Sequence, residues 1–152
     1  MENIKISVIM SVYNSENYLN SSIESILNQS FSNFEFIIIN DCSNDNSLKI
    51  INEYKNIDKR IKLVENDINL GLPVSLNKAI KIAYGKYIAR MDADDIAIAN
   101  RLETQFNFLE KNKNIGAVGS YVKTFGIEKK KWKYPISSEW IKTSMIFDSS
   151  LA

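Results

Sequence analysis

Ile4, Ile6, Val8, Ile9, Met10 and Val12 form a nearly continuous apolar, β-rich run near the start of the chain. A strand that is apolar at almost every position has to be covered on both faces, the situation of an interior strand in a parallel sheet. Past the capping signal Asn14-Ser15, Leu19, Ile23, Ile26 and Leu27 recur at helical spacing, so the strand feeds a helix. The unit then returns. Phe36 to Ile39 reads as a second buried strand, followed by Leu48, Ile51 and Tyr54 on one face of a helix begun near Asn44-Asp45. Ile61 to Val64 is a short third strand. Pro73 suits the first turn of a helix whose stripe Leu72, Leu76, Ala79, Ile80 and Ala83 ends at Gly85. Tyr87 to Met91 is a fourth strand, and Asn100 with Glu103 marks the start of a helix carrying Leu102, Phe106 and Leu109. Ile115 to Phe125 reads as one long or two short strands. Strands alternating with helices in this way predict an α/β fold, a doubly wound, mostly parallel sheet with helices on both faces. Beyond Gly126 the pattern weakens: Pro135 breaks the chain, and Ser137-Ser138 start a last helix through Trp140, Ile141 and Met145. The expected organisation is a domain over 1–126 and an extension over 127–152.

Composition removes several classes of function. Nineteen basic against 18 acidic residues leave a net charge of +1, so no global field draws in nucleic acid and an anionic ligand must be caught locally. The run Lys129 to Lys131, with Trp132 and Lys133, reads as a solvated loop. A single cysteine, Cys42, forms no internal disulfide and fits a reducing interior. The start Met1-Glu2-Asn3-Ile4-Lys5 is unlike a signal peptide, and no stretch approaches the roughly 20 apolar residues that span a bilayer. The expected location is cytoplasmic, free or peripheral at the inner face of the membrane. Histidine is absent, which removes His-activated nucleophiles, His bases and His-ligated zinc together. Chemistry here runs on carboxylates.

In a doubly wound sheet ligands gather at the carboxyl ends of the strands. Three such ends carry polar clusters: Ser11 to Asn14, Asn40 to Ser43, and Asp92-Ala93-Asp94-Asp95. A lone aspartate at a strand end is more often a helix cap, and Asp45 reads as one. Three carboxylates in four residues repel one another unless a cation sits among them. In an extended segment Asp92 and Asp94 project to one side while Ala93 turns away, so this pair is the predicted metal site. Carboxylate oxygens suit Mg²⁺ or Mn²⁺, which keep waters and take substrate phosphates as further ligands, so the pair predicts a phosphorylated partner. An EF-hand fails, because Ala97 stands where its glycine belongs; Gly-rich dinucleotide and P-loop fingerprints are missing. Arg90 and Arg101 are near enough in sequence to approach phosphate, but read first as ion-pair partners of the nearby carboxylates.

Read in series, Ser7-Val-Ile-Met-Ser-Val-Tyr-Asn14, Ser25-Ile-Leu-Asn-Gln-Ser30, Ile37-Ile-Ile-Asn-Asp-Cys-Ser-Asn-Asp45, Asn69-Leu-Gly-Leu72 and Gly85-Lys-Tyr-Ile-Ala-Arg-Met-Asp-Ala-Asp-Asp95 resemble family 2 glycosyltransferases of the GT-A fold. The likeness runs from about Ile4 to Gly119 and is nearest to bacterial enzymes that build surface polysaccharide or lipopolysaccharide. It implies a nucleotide-sugar-binding domain, with Val12, Tyr13, Asn14 and Asp41 as base or ribose contacts, Asp92 near the ribose and Asp94 as metal ligand. Tyr13 offers a ring for stacking and Asp41 an acceptor for a uracil-type N–H. Taken alone, Tyr13 is equally a packing aromatic and Asp41 equally a cap; their place beside Asp92 and Asp94 favours the site. The sequence departs from the family pattern at Ser11, Asn40 and Ala99.

The activity implied is metal-dependent transfer from a nucleotide-sugar, a UDP-sugar first, to a hydroxyl of a saccharide or lipid-linked acceptor with inversion. No residue matches the family's general base, so 127–152 reads as the start of an acceptor-binding region. The rival expectation is a donor-binding module without catalysis of its own. A homodimer is left open.

Overall fold

The computed structural model describes residues 4–124, 130–133 and 136–144. The chain divides into two compact units, 1–106 and 107–152. The division falls upstream of the Gly126 boundary read from the sequence, which itself lies outside the described residues, as do Phe125, Pro135 and Met145.

The first unit is built on four parallel strands: β1 (Ile6–Val12), β2 (Phe34–Asn40), β3 (Ile61–Glu65) and β4 (Tyr87–Asp92), in the order β3-β2-β1-β4. Three helices connect them, α1 (Glu16–Leu27), α2 (Ser47–Ile57) and α3 (Leu72–Lys81), and α4 (Arg101–Lys111) follows β4. The unbroken apolar runs have their expected reason, since all seven residues of β2 are buried. One face of the sheet gives Val8, Met10, Val12 and Met91 to a core shared with Leu19, Ile23 and Ile26 of α1, Ile51 of α2 and Leu102 of α4. The other face packs Ile9, Ile37 and Ile39 against Ala79 of α3. Each large side chain so buried stabilises the fold by about 1.5–3 kcal/mol. Helices on both faces of an open parallel sheet make this the doubly wound α/β arrangement that the periodicities predict.

Several local features differ from the expectation. Gly85 does not cap α3, which ends at Lys81 with Ile82 after it. It sits against β1 so closely that a Cβ would collide with the backbone of Ile6 and Ser7, so only glycine fits. Its neighbourhood is held by Glu35, a carboxylate 2% exposed. Glu35 accepts from Ser7 Oγ (2.6 Å), Lys62 Nζ (2.6 Å) and the Tyr84 N–H (2.7 Å), while Ser7 Oγ accepts the Gly85 N–H (2.8 Å). One buried group thus ties three strands and the approach to the fourth at the end of the sheet opposite the polar clusters.

The second unit carries a short antiparallel pair, β5 (Val122–Lys123) with β6 (Lys131–Trp132), and a helix α5 (Ser138–Ser144). The strand expected over Ile115 to Phe125 is therefore two residues long where it is described; residues 115–121 are irregular. Apolar composition there is not matched by a longer partner ladder, and without one a strand has unpaired backbone groups.

Candidate functional site

The sheet order places a topological switch between β1 and β4: successive strands step outward from β1 to β3, and the chain then crosses to the far side of β1. A crevice opens where connections leave in opposite directions, at the carboxyl ends of β1 and β4. A cavity of about 640 Å³ lies there. Tyr13, Asn14, Asp41, Asp92 and Asp94 all line it, so five of the six residues singled out in the sequence come together. Val12 does not line it: its side chain is fully buried in the core, and its carbonyl accepts the Asp41 N–H at 2.8 Å.

Two residues near the cavity adopt positive φ, Asn14 (48°) and Cys42 (61°), each at the turn that follows a strand. Asparagine tolerates this region through local hydrogen bonding. Asn14 Oδ1 accepts the Asn44 N–H at 2.8 Å, and Ser43 Oγ accepts the Asn14 N–H at 3.1 Å, so the loops after β1 and β2 are laced together. Tyr13 stands beside this lacing, lines the cavity and is 47% exposed.

Asp41 is 2% exposed and does not cap the helix that follows it. Its carboxylate reaches across to the loop before α3, accepting the Leu70 N–H (2.9 Å), the Gly71 N–H (2.8 Å) and Asn66 Nδ2 (2.7 Å). Burial alone would raise its pKa; these bonds outweigh it and hold the group below the usual carboxylate range. Asp41 therefore fixes the wall made by Asn69 and Gly71, a wall the spacing of apolar residues did not indicate.

The acidic segment differs from the extended geometry expected of it. Asp92 closes β4, and Ala93-Asp94 form a turn in which the Asp95 N–H meets the Asp92 carbonyl at 3.3 Å. The turn is set by α1. Tyr18, Ser22 and Ser25 lie along one side of that helix, Gln29 follows just past its end, and Ser22, Ser25 and Gln29 hold the segment. Ser22 Oγ donates to the Asp92 carbonyl (3.0 Å), Ser25 Oγ accepts the Ala97 N–H (3.0 Å), and Gln29 clamps the Ile98 carbonyl (2.8 Å) and the Leu102 N–H (3.0 Å). Tyr18, at the open end of this stripe, lines the cavity and is 55% exposed. Tyr18, Ser22 and Ser25 at helical spacing are the sequence signal for this device, and the apolar stripe of the same helix dominates the pattern and masks it.

Asp92 and Asp94 share the cavity but not the same surroundings. Arg90 Nε and Nη2 grip both oxygens of Asp92 at 2.9–3.1 Å. The Asp94 side chain is exposed and makes no hydrogen bond among the described residues. Partial desolvation, with the charges of Asp92 and Asp94 added to it, raises the Asp95 carboxyl above its ordinary pKa. Arg101 donates to the Arg90 carbonyl at 2.8 Å from a largely buried guanidinium, and that burial lowers its pKa.

Does this set fit a divalent cation? Among the described residues no three His, Cys, Asp or Glu side chains are grouped to hold a metal ion. The arrangement suits Mg²⁺ or Mn²⁺ nonetheless, because such ions take one or two carboxylates and complete their shell with water and substrate phosphate. Asp94 supplies a carboxylate with no hydrogen bond among the described residues, and Asp92 a second that Arg90 already neutralises.

A family profile described as glycosyl transferase family 2 matches residues 7–149. An uncharacterized glycosyltransferase of Haemophilus influenzae is 42% identical over 160 residues, covering 97% of this chain and 49% of that protein. The Escherichia coli UDP-Glc:alpha-D-GlcNAc-diphosphoundecaprenol beta-1,3-glucosyltransferase WfgD is 39% identical over 121 residues, covering 80% of this chain and 47% of its own. Among solved structures, Staphylococcus aureus TarS 1–349 in complex with UDP superposes with a TM-score of 0.67 at 32% identity, over 72% of this chain and 33% of that one. The chain spans about half the length of the curated relatives it matches. With four parallel strands, a cavity at their switch point and the profile match running almost end to end, this chain belongs to glycosyl transferase family 2.

Proposed function

We propose that this chain carries the donor-binding part of a glycosyltransferase that moves a sugar from a nucleotide-sugar, a UDP-sugar first, to an acceptor hydroxyl with inversion, in surface polysaccharide or lipopolysaccharide synthesis. The observation that carries the reading is the cavity at the switch point, which brings the exposed ring of Tyr13, the Arg90 guanidinium and the carboxylate of Asp94 into one space. TarS binding UDP and the E. coli relative named for UDP-Glc and a diphosphoundecaprenol acceptor support the choice of donor and of a lipid-linked saccharide acceptor.

In this reading the Tyr13 ring stacks on the base, and Asn14 and Asp41 border the base and ribose. Asp41 acts mainly by holding the Asn69–Gly71 wall, since its lone pairs are engaged by that loop. Asp92 meets the ribose, and Asp94, with Asp92, holds Mn²⁺ or Mg²⁺. When bound, that cation offsets the negative charge that grows on the departing diphosphate. Proton removal from the acceptor hydroxyl would fall to a carboxylate that the resemblance does not assign to any residue, and 127–152 is read as the beginning of the acceptor-binding region. A second reading, a donor-binding module that needs another segment or chain for turnover, is favoured by the exposure of Ile136 (89%) and Trp140 (69%).

Calorimetry of UDP binding with and without Mn²⁺ tests the site. Metal is expected to tighten UDP binding in the wild type and to do nothing in Asp94→Ala; equal metal effects in both proteins remove Asp94 from the metal site. Release of UDP from a panel of UDP-sugars then divides the enzyme from the binding module.

A further inference from the structure

Of the cavity's lining residues, Arg90 is the one cation among the described residues, and the sequence pattern leaves it as a plain ion-pair partner. Its position says more. Arg90 and Asp92 stand two apart on β4 and therefore on the same face of the sheet, opposite Met91, which is buried in the core with α1. β1 places Ile9 beside Arg90 and Ser11 beside Asp92, and Ser11 also lines the cavity. Arg90 thus leaves the backbone from within the paired register of β4 with β1, and not from a loop.

The contact that holds it is weakly committed. The Arg90 and Asp92 side chains are 55% and 38% exposed, and an ion pair so solvated is worth only about 0–1 kcal/mol. Three contacts use Nε and Nη2, which leaves Nη1 without a hydrogen bond among the described residues. A guanidinium has five N–H donors in a planar fork that matches phosphate oxygens as well as carboxylate. The electrostatics of the cavity call for such a group. Asp41, Asp92 and Asp94 all border it, so a diphosphate entering without a cation meets net negative charge.

We infer that Arg90 is a diphosphate-binding residue, held ready by Asp92 and able to engage the phosphates before any metal arrives. This rests on the nucleotide-binding reading of the cavity. It predicts that the chain retains metal-independent affinity for a nucleoside diphosphate, carried by Arg90 and sensitive to salt.

The test is calorimetry in EDTA with UDP and, separately, uridine, on the wild type, Arg90→Ala and Arg90→Lys, with circular dichroism to confirm folding. The expected result is a loss of UDP affinity of roughly tenfold or more in Arg90→Ala, with uridine unchanged. Arg90→Lys keeps the charge without the fork and should fall between; if Arg90→Ala does not fold, a weaker UDP Kd in Arg90→Lys with uridine unchanged carries the proposal. Unchanged UDP binding in the variants overturns it, as does a parallel loss for UDP and uridine, which would mean a distorted pocket. A wild type that binds uridine but not UDP in EDTA overturns the assignment alone. A wild type that binds neither, with or without Mn²⁺, overturns the nucleotide reading itself.

Discussion

Asp45 and Glu16 cap each other's helices. Asp45 Oδ2 accepts the Glu16 N–H at 3.0 Å, at the first residue of α1, and Glu16 Oε2 accepts the Asn46 N–H at 2.9 Å, just before α2. Asp45 Oδ1 also takes the Ser47 N–H at 2.9 Å. The two loops that frame the cavity are thereby fixed to one another through orphan N–H groups that a helix start must satisfy somewhere.

Asp45→Ala is expected to lower stability by about 0.5–2 kcal/mol, the range of a lost cap. Urea unfolding reads this directly. Asp45→Asn retains an acceptor and should recover part of the loss.

Asp45 is legible in the sequence as a cap of its own helix only, because a cap shared between two helices depends on their placement and leaves no trace in spacing. The four strands were legible to within a residue or two, since a run such as Phe36 to Ile39 has no stable alternative to burial on both faces. The Asp92–Asp94 turn was not. An extended segment was the natural reading of alternating residues, and bonds from Ser22 and Ser25 on a helix some seventy positions upstream impose the turn instead. Asp41 was identified and its partners were not: the loop it holds has no apolar period to announce it.

Glu35 makes stability fall in acid. Burial acts to raise its pKa, and the bonds from Lys62, Ser7 and the Tyr84 N–H overcome this and hold it below the ordinary glutamate value. A carboxylate with a depressed folded-state pKa contributes stability above its unfolded value and loses it as pH drops through the folded one. The unfolding free energy should therefore decline below about pH 4.5, and Glu35→Gln should be less stable at neutral pH with a flatter acid limb. An acid limb of unchanged slope in the variant would show that other groups carry the effect.

Gly85→Ala puts a methyl group into the backbone of Ile6 and Ser7, where no flexible side chain can give way. Overpacking of this kind costs about 1–3 kcal/mol. Thermal unfolding should show a clear drop in midpoint, with UDP binding by the remaining folded protein little changed, because the contact lies at the far end of the sheet.

Gln29→Ala removes both halves of the clamp on Ile98 and Leu102. Faster amide exchange is expected at Leu102, and weaker binding of UDP in the presence of Mn²⁺, with metal-free UDP affinity much less affected. Equal losses with and without metal would show that the clamp supports the whole pocket and not the acidic turn.

The pairing of β4 with β1, as of Tyr87 with Ile6, joins partners more widely separated in sequence than any other strand pairing in the parallel sheet. Closing so long a loop has an entropic cost that shorter pairings, such as Ile6 with Phe34, do not share. During synthesis the first three strands can assemble while the acidic end of the fourth is still unmade. The crevice is thus incomplete until β4 is paired with β1, and ligand binding reports completion of the whole sheet.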